Sequence, residues 1–195
     1  EFRNKVSTVL AKNGEGLAGA NYSMGAMSGI HNTHPDWKII ATETASPSNS
    51  RGIYNTLSQY NKTGDYQCTA YDTNAVSWGN TARESWWYTI KDDFVSGEFI
   101  WTGFDYIGEP TPWNGTDKGS VSGDKLAVPN SSYFGVIDTA GFEKDSFYFY
   151  TSQWREDKKT LHVVPQSWNA EDLSISGGKV PVYVCLLYTS PSPRD

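Results

Sequence analysis

The chain has 195 residues, enough for one domain with a sizeable core, and its 37% hydrophobic and 19% charged residues are typical of a globular protein. The 22 acidic residues outnumber the 16 basic ones, and Lys and Arg form no cluster, which argues against a nucleic-acid partner. No apolar run is long enough to cross a membrane, and the many aromatic residues favour carbohydrate binding only slightly, because such side chains also fill cores.

The cysteines and histidines give no sign of a metal site. Cys68 and Cys185 make a poor disulfide framework and lack the spacing of metal ligands. The three histidines, His31, His34 and His162, do not form a zinc pattern either. We therefore expect neither a metal ion nor a cofactor.

The first part of the chain predicts a helix and two strands. Residues 2–12 have the apolar spacing of one helical face. Residues 17–22 and 37–43 are predicted strands, and residues 24–36 form a connection in which Pro35 stops any helix. Because residues 37–43 are apolar without alternation, we expect a strand buried on both faces of a parallel sheet.

A long loop, a helix and another strand follow. Residues 46–77 are rich in Ser, Asn, Gly and Tyr, which indicates a loop. Asn80 is the predicted cap of a helix that runs to about residue 93. Three residues stack on one face of this helix: Ala82, Trp86 and Ile90. Residues 94–101 then form a second buried strand.

The pattern changes in the last third of the chain. After a Gly- and Pro-rich loop, residues 134–137 predict a short strand and residues 142–154 a helix. Residues 161–165 and 179–184 are short strands with no helix between them. They indicate the start of a separate β-domain.

Strands that alternate with helices indicate parallel β/α units, and a (β/α)8 barrel places its chemistry at the C-terminal ends of such strands. About three units cannot close an eight-stranded barrel, so we expect a fragment. Residues 1–157 are assigned to part of the barrel domain and residues 158–184 to the start of the β-domain. Residues 185–195 resemble translated adapter sequence and are excluded from the fold.

Glu43 is the leading catalytic candidate because it ends a strand that is predicted to be buried. A carboxylate there is costly unless it is paired or hydrogen-bonded. Three neighbouring hydroxyl groups can keep it ionised: those of Thr42, Thr44 and Ser46. The next strand ends with Trp101 and, shortly after, Asp105. The alternative for Glu43 is a solvated strand end or a structural salt bridge.

Several stretches in the same order resemble family 2 glycoside hydrolases. Residues 39–46 look like the nucleophile strand of that family, and residues 99–113 are similar to the last barrel strand and its loop in family 2 β-galactosidases. Residues 131–142 and 152–154 continue the match. The resemblance implies an α/β fold: the C-terminal portion of a (β/α)8 TIM barrel followed by the first strands of an immunoglobulin-like β-sandwich. It also implies hydrolysis of terminal β-D-galactosides with retention, although β-glucuronidases and β-mannosidases share the scaffold.

The resemblance assigns roles to two residues near the bond that is broken. Glu43 would be the nucleophile, and Tyr22 would orient its carboxylate through a hydrogen bond, the alternative being a core or rim tyrosine. The acid/base glutamate of the family belongs to an Asn-Glu pair, which this sequence lacks. We therefore expect the chain alone to be inactive.

Other residues are assigned to substrate binding by the same resemblance. Trp101 would be a platform for the sugar, with barrel-core packing as the alternative. Asn21 and Asp105 would bind sugar hydroxyl groups, although Asp105 could instead brace the long loop. For Glu109 we favour bracing.

Two other classes of protein remain open. A non-catalytic carbohydrate-binding module would explain the aromatic content and the acidity, but such modules are mostly antiparallel β-sandwiches. A structural domain would use all its aromatic side chains in the core. The oligomeric state is not indicated, and a periplasmic or extracellular location of the parent enzyme is only a working expectation.

Overall fold

The computed structural model describes residues 17–57, 66–111, 113, 129–170, 172 and 178–187, and the predicted helix at 2–12 lies outside them. The chain forms two compact units. The first unit comprises Glu1–Ser46 and Ala75–Trp101, and the second comprises Pro47–Asn74 and Thr102–Asp195.

The first unit contains a three-stranded parallel sheet. Its strands are β1 (Leu17–Asn21), β2 (Lys38–Ala45) and β3 (Val95–Trp101), which lie side by side in chain order. Both strand pairs are parallel. The predicted strands and their parallel arrangement are therefore confirmed, with boundaries that differ by one or two residues.

The connection between β1 and β2 contains helices that the sequence analysis did not predict. A 3-10 helix at Met24–Ala26 leads into helix α1, Met27–Thr33. Met24 and Met27 are 2% and 0% exposed, so their i, i+3 spacing places an apolar edge of these helices in the core. Pro35 follows the end of α1 instead of excluding a helix.

Helix α2, Ala82–Ile90, is capped by Thr81 and not by Asn80. The Thr81 hydroxyl accepts the N–H of Glu84, and the Glu84 carboxylate accepts the N–H of Thr81, which is a capping box. Of the predicted apolar face, Ala82 is buried, but Ile90 is 51% exposed, so the prediction is wrong for Ile90. The buried face carries small and hydroxyl-bearing residues: Ala82, Ser85 and Thr89.

The sheet is covered on one face only within the described residues. Ile39 and Ala41 of β2 are fully buried, whereas Thr42 is exposed and Phe99 of β3 is 64% exposed. The expected burial on both faces is therefore not found. The core cluster consists of apolar residues from β1, β2 and the helices between them: Ala18, Ala20, Met24, Met27, Ile39 and Ala41.

The second unit begins with residues that form neither a helix nor a strand at 47–57 and 66–74, as predicted for a loop. Residues 134–137 form only isolated bridges through Ile137, so the predicted strand there is wrong. Helix α3, Asp145–Trp154, starts three residues later than predicted. The Asp138 carboxylate accepts the N–H groups of Ala140 and Phe142, which holds the chain in a turn just before the helix.

Strands β4 (Thr160–Val164) and β5 (Tyr183–Leu187) pair antiparallel. β5 starts later than predicted and extends three residues into the tail that had been excluded. Helix α3 packs against both strands, and Asp145 at its start lies 2.7 Å from His162 of β4. The domain boundary after residue 157 and the β-sandwich remain predictions.

Candidate active site

The ends of the three parallel strands bring four of the five predicted site residues to one edge of the sheet. Asn21, the last residue of β1, pairs with Glu43 on β2, and Ala45, two residues beyond Glu43, pairs with Trp101 on β3. Tyr22 directly follows β1. Because the strands are parallel, all of these residues lie at the C-terminal edge. Asn21 is exposed, Trp101 is 36% exposed and Glu43 is half-buried.

β2 is irregular at Glu43. Between two paired positions β1 advances by two residues, Gly19 to Asn21, while β2 advances by three, Ile40 to Glu43. On its other side, β2 advances by three residues, Ala41 to Thr44, while β3 advances by two. One extra residue in one strand is a β-bulge, which re-aims side chains and is frequent beside active sites. The candidate nucleophile therefore ends the bulge with respect to β1 and lies inside the bulge with respect to β3.

Tyr22 lies next to Glu43 through its backbone. Its N–H donates to the carbonyl oxygen of Glu43 at 2.9 Å. Its hydroxyl forms a 2.6 Å hydrogen bond with the hydroxyl of Ser46, three residues after Glu43. A hydrogen bond from Tyr22 to the Glu43 carboxylate stays a prediction.

The backbone around Glu43 adopts conformations that L-residues rarely take. Tyr22 has a φ of 48°, and Ala45 and Ser46 each have a φ of 64°. Such residues cost about 1–3 kcal/mol each and tend to cluster at functional sites. None of the three is a glycine or an asparagine, for which this conformation is common. The strain therefore supports a functional role for this edge.

The strained turn is held in place by α2, by Asn80 just before that helix, and by β3. The buried Ala45 N–H donates to the hydroxyl of Ser85 on α2 at 3.0 Å, and the Ala45 carbonyl accepts the N–H of Asn80 at 2.8 Å. The Ser46 N–H donates to the carbonyl of Trp101 at 3.1 Å. A Cβ atom at Gly79 would lie 2.3 Å from the Ala45 carbonyl oxygen, so only glycine allows this close approach.

Glu98 is a partly buried carboxyl group that the sequence analysis missed. It lies on β3, and its Oε2 accepts hydrogen bonds from the hydroxyls of Thr44 at 2.9 Å and Thr89 at 3.2 Å. Burial raises the pKa of Glu98, and these two hydrogen bonds partly oppose the shift. Its only signal in the sequence was an acidic residue inside a predicted buried strand.

Asp105 belongs to the second unit, where protein groups bind both of its oxygens. Oδ2 lies 2.5 Å from Nζ of Lys144, and Oδ1 accepts the N–H of Gly135 at 2.7 Å. Burial raises the pKa of Asp105, while the Lys144 ammonium and the Gly135 N–H oppose that shift. This arrangement braces the loop, which was the alternative to sugar binding. The binding role assigned to Asp105 stays a prediction.

Glu109 also braces its loop, as expected. One carboxylate oxygen accepts the Tyr106 hydroxyl, and the other accepts the Thr111 hydroxyl at 3.1 Å.

The described part of the chain contains no group of three or more His, Cys, Asp or Glu residues that could hold a metal ion. Among the same residues, no helix has the length and apolarity needed to cross a bilayer.

No protein-family model matches the chain. The β-galactosidase BoGH2A of Bacteroides ovatus is 38% identical over 164 residues, which are 78% of this chain and 18% of that protein. A putative β-glucuronidase of Formosa agariphila is 36% identical over 118 residues, which are 60% of this chain and 10% of that protein.

Among solved structures, a β-glycosidase from Bacteroides vulgatus matches with a TM-score of 0.59 and 26% identity, over 83% of this chain and 22% of that one. The chain spans less than a fifth of the length of the two curated relatives, 18% and 10%. The resemblance seen in the sequence is confirmed: over most of its length, the chain is related to one part of the glycoside hydrolases of family 2.

Proposed function

We propose that the chain is part of a retaining β-galactosidase in which Glu43 is the nucleophile. One observation carries this proposal: Glu43 lies in a β-bulge at the C-terminal edge of a parallel sheet, beside Tyr22 and near Trp101. In the β/α barrels that catalyse reactions, this edge is where the active site lies. The 38% identity to the Bacteroides ovatus β-galactosidase supports the same substrate class.

The proposed fold is the C-terminal portion of a (β/α)8 barrel followed by the start of an immunoglobulin-like β-sandwich. The three parallel strands in chain order and helix α2 between β2 and β3 support the barrel. The antiparallel pair β4–β5 is compatible with the first strands of a sandwich.

The reaction proceeds in two steps. A carboxylate oxygen of Glu43 attacks the anomeric carbon as the bond to the leaving oxygen breaks, and a second carboxylic acid gives its proton to that oxygen. The resulting carboxylate then takes a proton from water, which attacks the same carbon and releases Glu43. Retention requires the two carboxyl groups to be about 5–5.5 Å apart. We assign the second group to the Asn-Glu pair of the family, which the sequence lacks.

The residues around Glu43 have supporting roles in this scheme. Trp101 offers a partly exposed aromatic face on which the apolar face of a sugar can stack. Asn21 is exposed beside Glu43 and can bind a sugar hydroxyl. Tyr22 orients the Glu43 carboxylate when the sugar is bound, and for Asp105 we keep the substrate-binding role that the family resemblance implies.

A hybrid enzyme tests the nucleophile. This chain replaces the matching segment of the Bacteroides ovatus β-galactosidase, which supplies the remaining strands and the acid/base residue. We expect the hybrid to release nitrophenol from a nitrophenyl β-galactoside and Glu43→Gln to abolish turnover. With Glu43→Ala, added azide can attack from the side that the carboxylate occupied, so the product should be the α-galactosyl azide. Full activity of Glu43→Gln would refute the proposal, with Glu156→Gln, at an exposed glutamate after α3, as the matched control.

The chain alone provides a second test. Because it lacks the acid/base residue, whose assistance is worth about 10²–10⁴-fold, we expect no nitrophenol release from a β-galactoside. Turnover that disappears in Glu43→Gln would contradict the predicted inactivity while supporting the nucleophile.

β-Glucuronidase activity is the second candidate, because a putative β-glucuronidase is 36% identical over 118 residues. The hybrid should therefore also be tested with nitrophenyl β-glucuronide and β-mannoside. A kcat/KM higher for the glucuronide than for the galactoside would replace galactose as the proposed sugar and leave the role of Glu43 unchanged.

A further inference from the structure

The carboxyl group of Glu98, on β3, contacts the strand that carries Glu43. Its Oε2 contacts Thr44, the residue next to Glu43, and Thr89 of α2. Its Oε1 is buried and has no hydrogen-bond partner among the described residues. Thr44 itself is fully buried. Glu98, which lies on β3, therefore links this strand to β2 and to α2.

The number of available protons shows that this network depends on the protonation of Glu98. The Thr44 hydroxyl lies within reach of both Glu98 and the Phe99 carbonyl, at 2.9 and 3.3 Å. The Thr89 hydroxyl similarly lies 3.2 Å from Glu98 and 3.1 Å from the Ser85 carbonyl. Each hydroxyl carries one proton, so two protons serve four contacts when Glu98 is ionised. A neutral Glu98 adds a third proton.

The surroundings of Glu98 shift its equilibrium toward this neutral form. Burial raises its pKa, and the described residues that bind its carboxyl group are the uncharged Thr44 from β2 and Thr89 from α2. Neither can form an ion pair with a carboxylate. When Glu98 loses its proton, both threonine hydroxyls must turn from the carbonyl oxygens to the carboxylate, because a buried carboxylate without donors is costly.

We propose that Glu98 is a positioning residue for Glu43, which it holds in place through Thr44, and that the protonation of Glu98 changes the backbone of the bulge. The proposal rests on the role of Glu43 in the proposed function. Glu98 has a different role from Glu43, because it does not touch the sugar. Its effect on Glu43 is transmitted through one peptide bond and the Thr44 hydroxyl. A misplacement of 1 Å at a reacting group can cost about a hundredfold in rate.

The test is a pH titration of the full chain by NMR in a Glu43→Gln background, so that the neighbouring carboxyl group does not titrate. The carboxyl carbon of Glu98 and the backbone amide of Thr44 are followed together. We expect one shared midpoint, higher than that of exposed glutamates. In Glu98→Gln, whose amide remains neutral and can donate, the Thr44 amide should keep its low-pH position at every pH.

Two further variants complete the test. Thr89→Val removes one hydroxyl and should move the midpoint further upward, because the ionised carboxylate loses a donor. Asp93→Asn removes an exposed carboxyl group just before β3 and should leave the Thr44 titration unchanged. The proposal would be overturned if the chemical shift of the Thr44 amide did not change at the Glu98 midpoint. A Thr44 titration that persists in Glu98→Gln would overturn it as well.

The outcome is independent of the hydrolysis assay. Should the hybrid enzyme fail to cleave any glycoside, the proposed function fails, yet the coupling of Glu98 to the bulge can still be measured. In an active hybrid assayed below the Glu98 midpoint, Glu98→Gln mimics the neutral carboxyl group and should keep most of kcat, whereas Glu98→Leu removes both contacts and should lower kcat by about ten- to a hundredfold at an unchanged KM. An unchanged kcat in Glu98→Leu would show that the coupling does not reach the Glu43 carboxylate.

Discussion

The buried ion pair between Asp105 and Lys144 gives a prediction about the second unit that can be worked out in detail. The two side chains are 7% and 3% exposed. Besides contacting Asp105, Nζ of Lys144 donates to the carbonyl oxygens of Asn49 and Tyr133 at 2.8 and 3.2 Å. Lys144→Met keeps much of the side-chain volume but leaves the buried Asp105 carboxylate without its cation and removes one donor from each of the two carbonyls.

Removing one partner of a buried pair costs about 3–5 kcal/mol. For a chain of this size, that corresponds to a melting temperature lower by about 6–20 °C. Burial already raises the pKa of Asp105, and loss of the Lys144 ammonium should raise it further. A raised pKa in the folded state means that stability is lost as the pH rises through that pKa. The deficit of Lys144→Met should therefore be smaller at pH 5 than at pH 8.

Urea denaturation followed by circular dichroism measures this effect at both pH values. Arg155→Met is the matched control, because the Arg155–Asp157 pair is 58% and 69% exposed and its loss should leave the unfolding midpoint unchanged. Adding Asp105→Asn to Lys144→Met should restore part of the stability, since the uncompensated charge disappears. A Lys144→Met midpoint equal to that of Arg155→Met at pH 8 would refute the reasoning.

Two further predictions concern close packing and a buried thiol. Gly79→Ala should destabilise the chain by about 1–3 kcal/mol, because the new Cβ would lie 2.3 Å from the Ala45 carbonyl oxygen. Gly29→Ala is the control: nothing lies within 4 Å of the new Cβ, and equal thermal shifts for the two variants would contradict the steric argument. Burial, with smaller contributions from Asp145 and Asp72, raises the pKa of Cys185 to about 11. At pH 8 about one thiol in a thousand is then ionised, so its reaction with Ellman's reagent should be slow and should accelerate about tenfold per pH unit beyond pH 9, where an ordinary thiol levels off.

The sequence predicted the parallel sheet well because long-range packing did not have to be known. Runs such as residues 37–43 are apolar and β-branched, and that pattern survives in β2. The prediction for the connection at residues 24–36 was wrong because Pro35 was taken to exclude a helix, whereas it follows a helix here. The prediction of the buried face of α2 missed two residues for another reason. Ser85 and Thr89 are polar, so hydropathy placed them outside, but their hydroxyls bond to β2 and β3.

The candidate site also has a part that could be predicted from the sequence and a part that could not. Glu43, Tyr22 and Trp101 could be placed at one edge, because strand ends in a parallel sheet share that edge. The hydrogen bond between Thr44 and Glu98 joins residues 54 positions apart, and no periodicity in the sequence reports such a pairing. The same holds for the contact between Asp105 and Lys144, which changes the interpretation of Asp105. The structure therefore identifies the partners of buried polar groups, which the sequence alone could not predict.

The irregular backbone at the sheet edge makes sense only if neighbouring elements fix it. The pairing of β2 with β3 shifts register twice between Ile39 and Thr44, and two residues with positive φ follow at the end of the strand. Their cost of about 1–3 kcal/mol each has to be offset by other contacts. Ser85 and Asn80 bind the backbone of Ala45, and the Trp101 carbonyl binds Ser46. Glu43 is thus attached to a segment that contacts outside its own strand hold in place, and such support is what a precisely placed carboxylate requires.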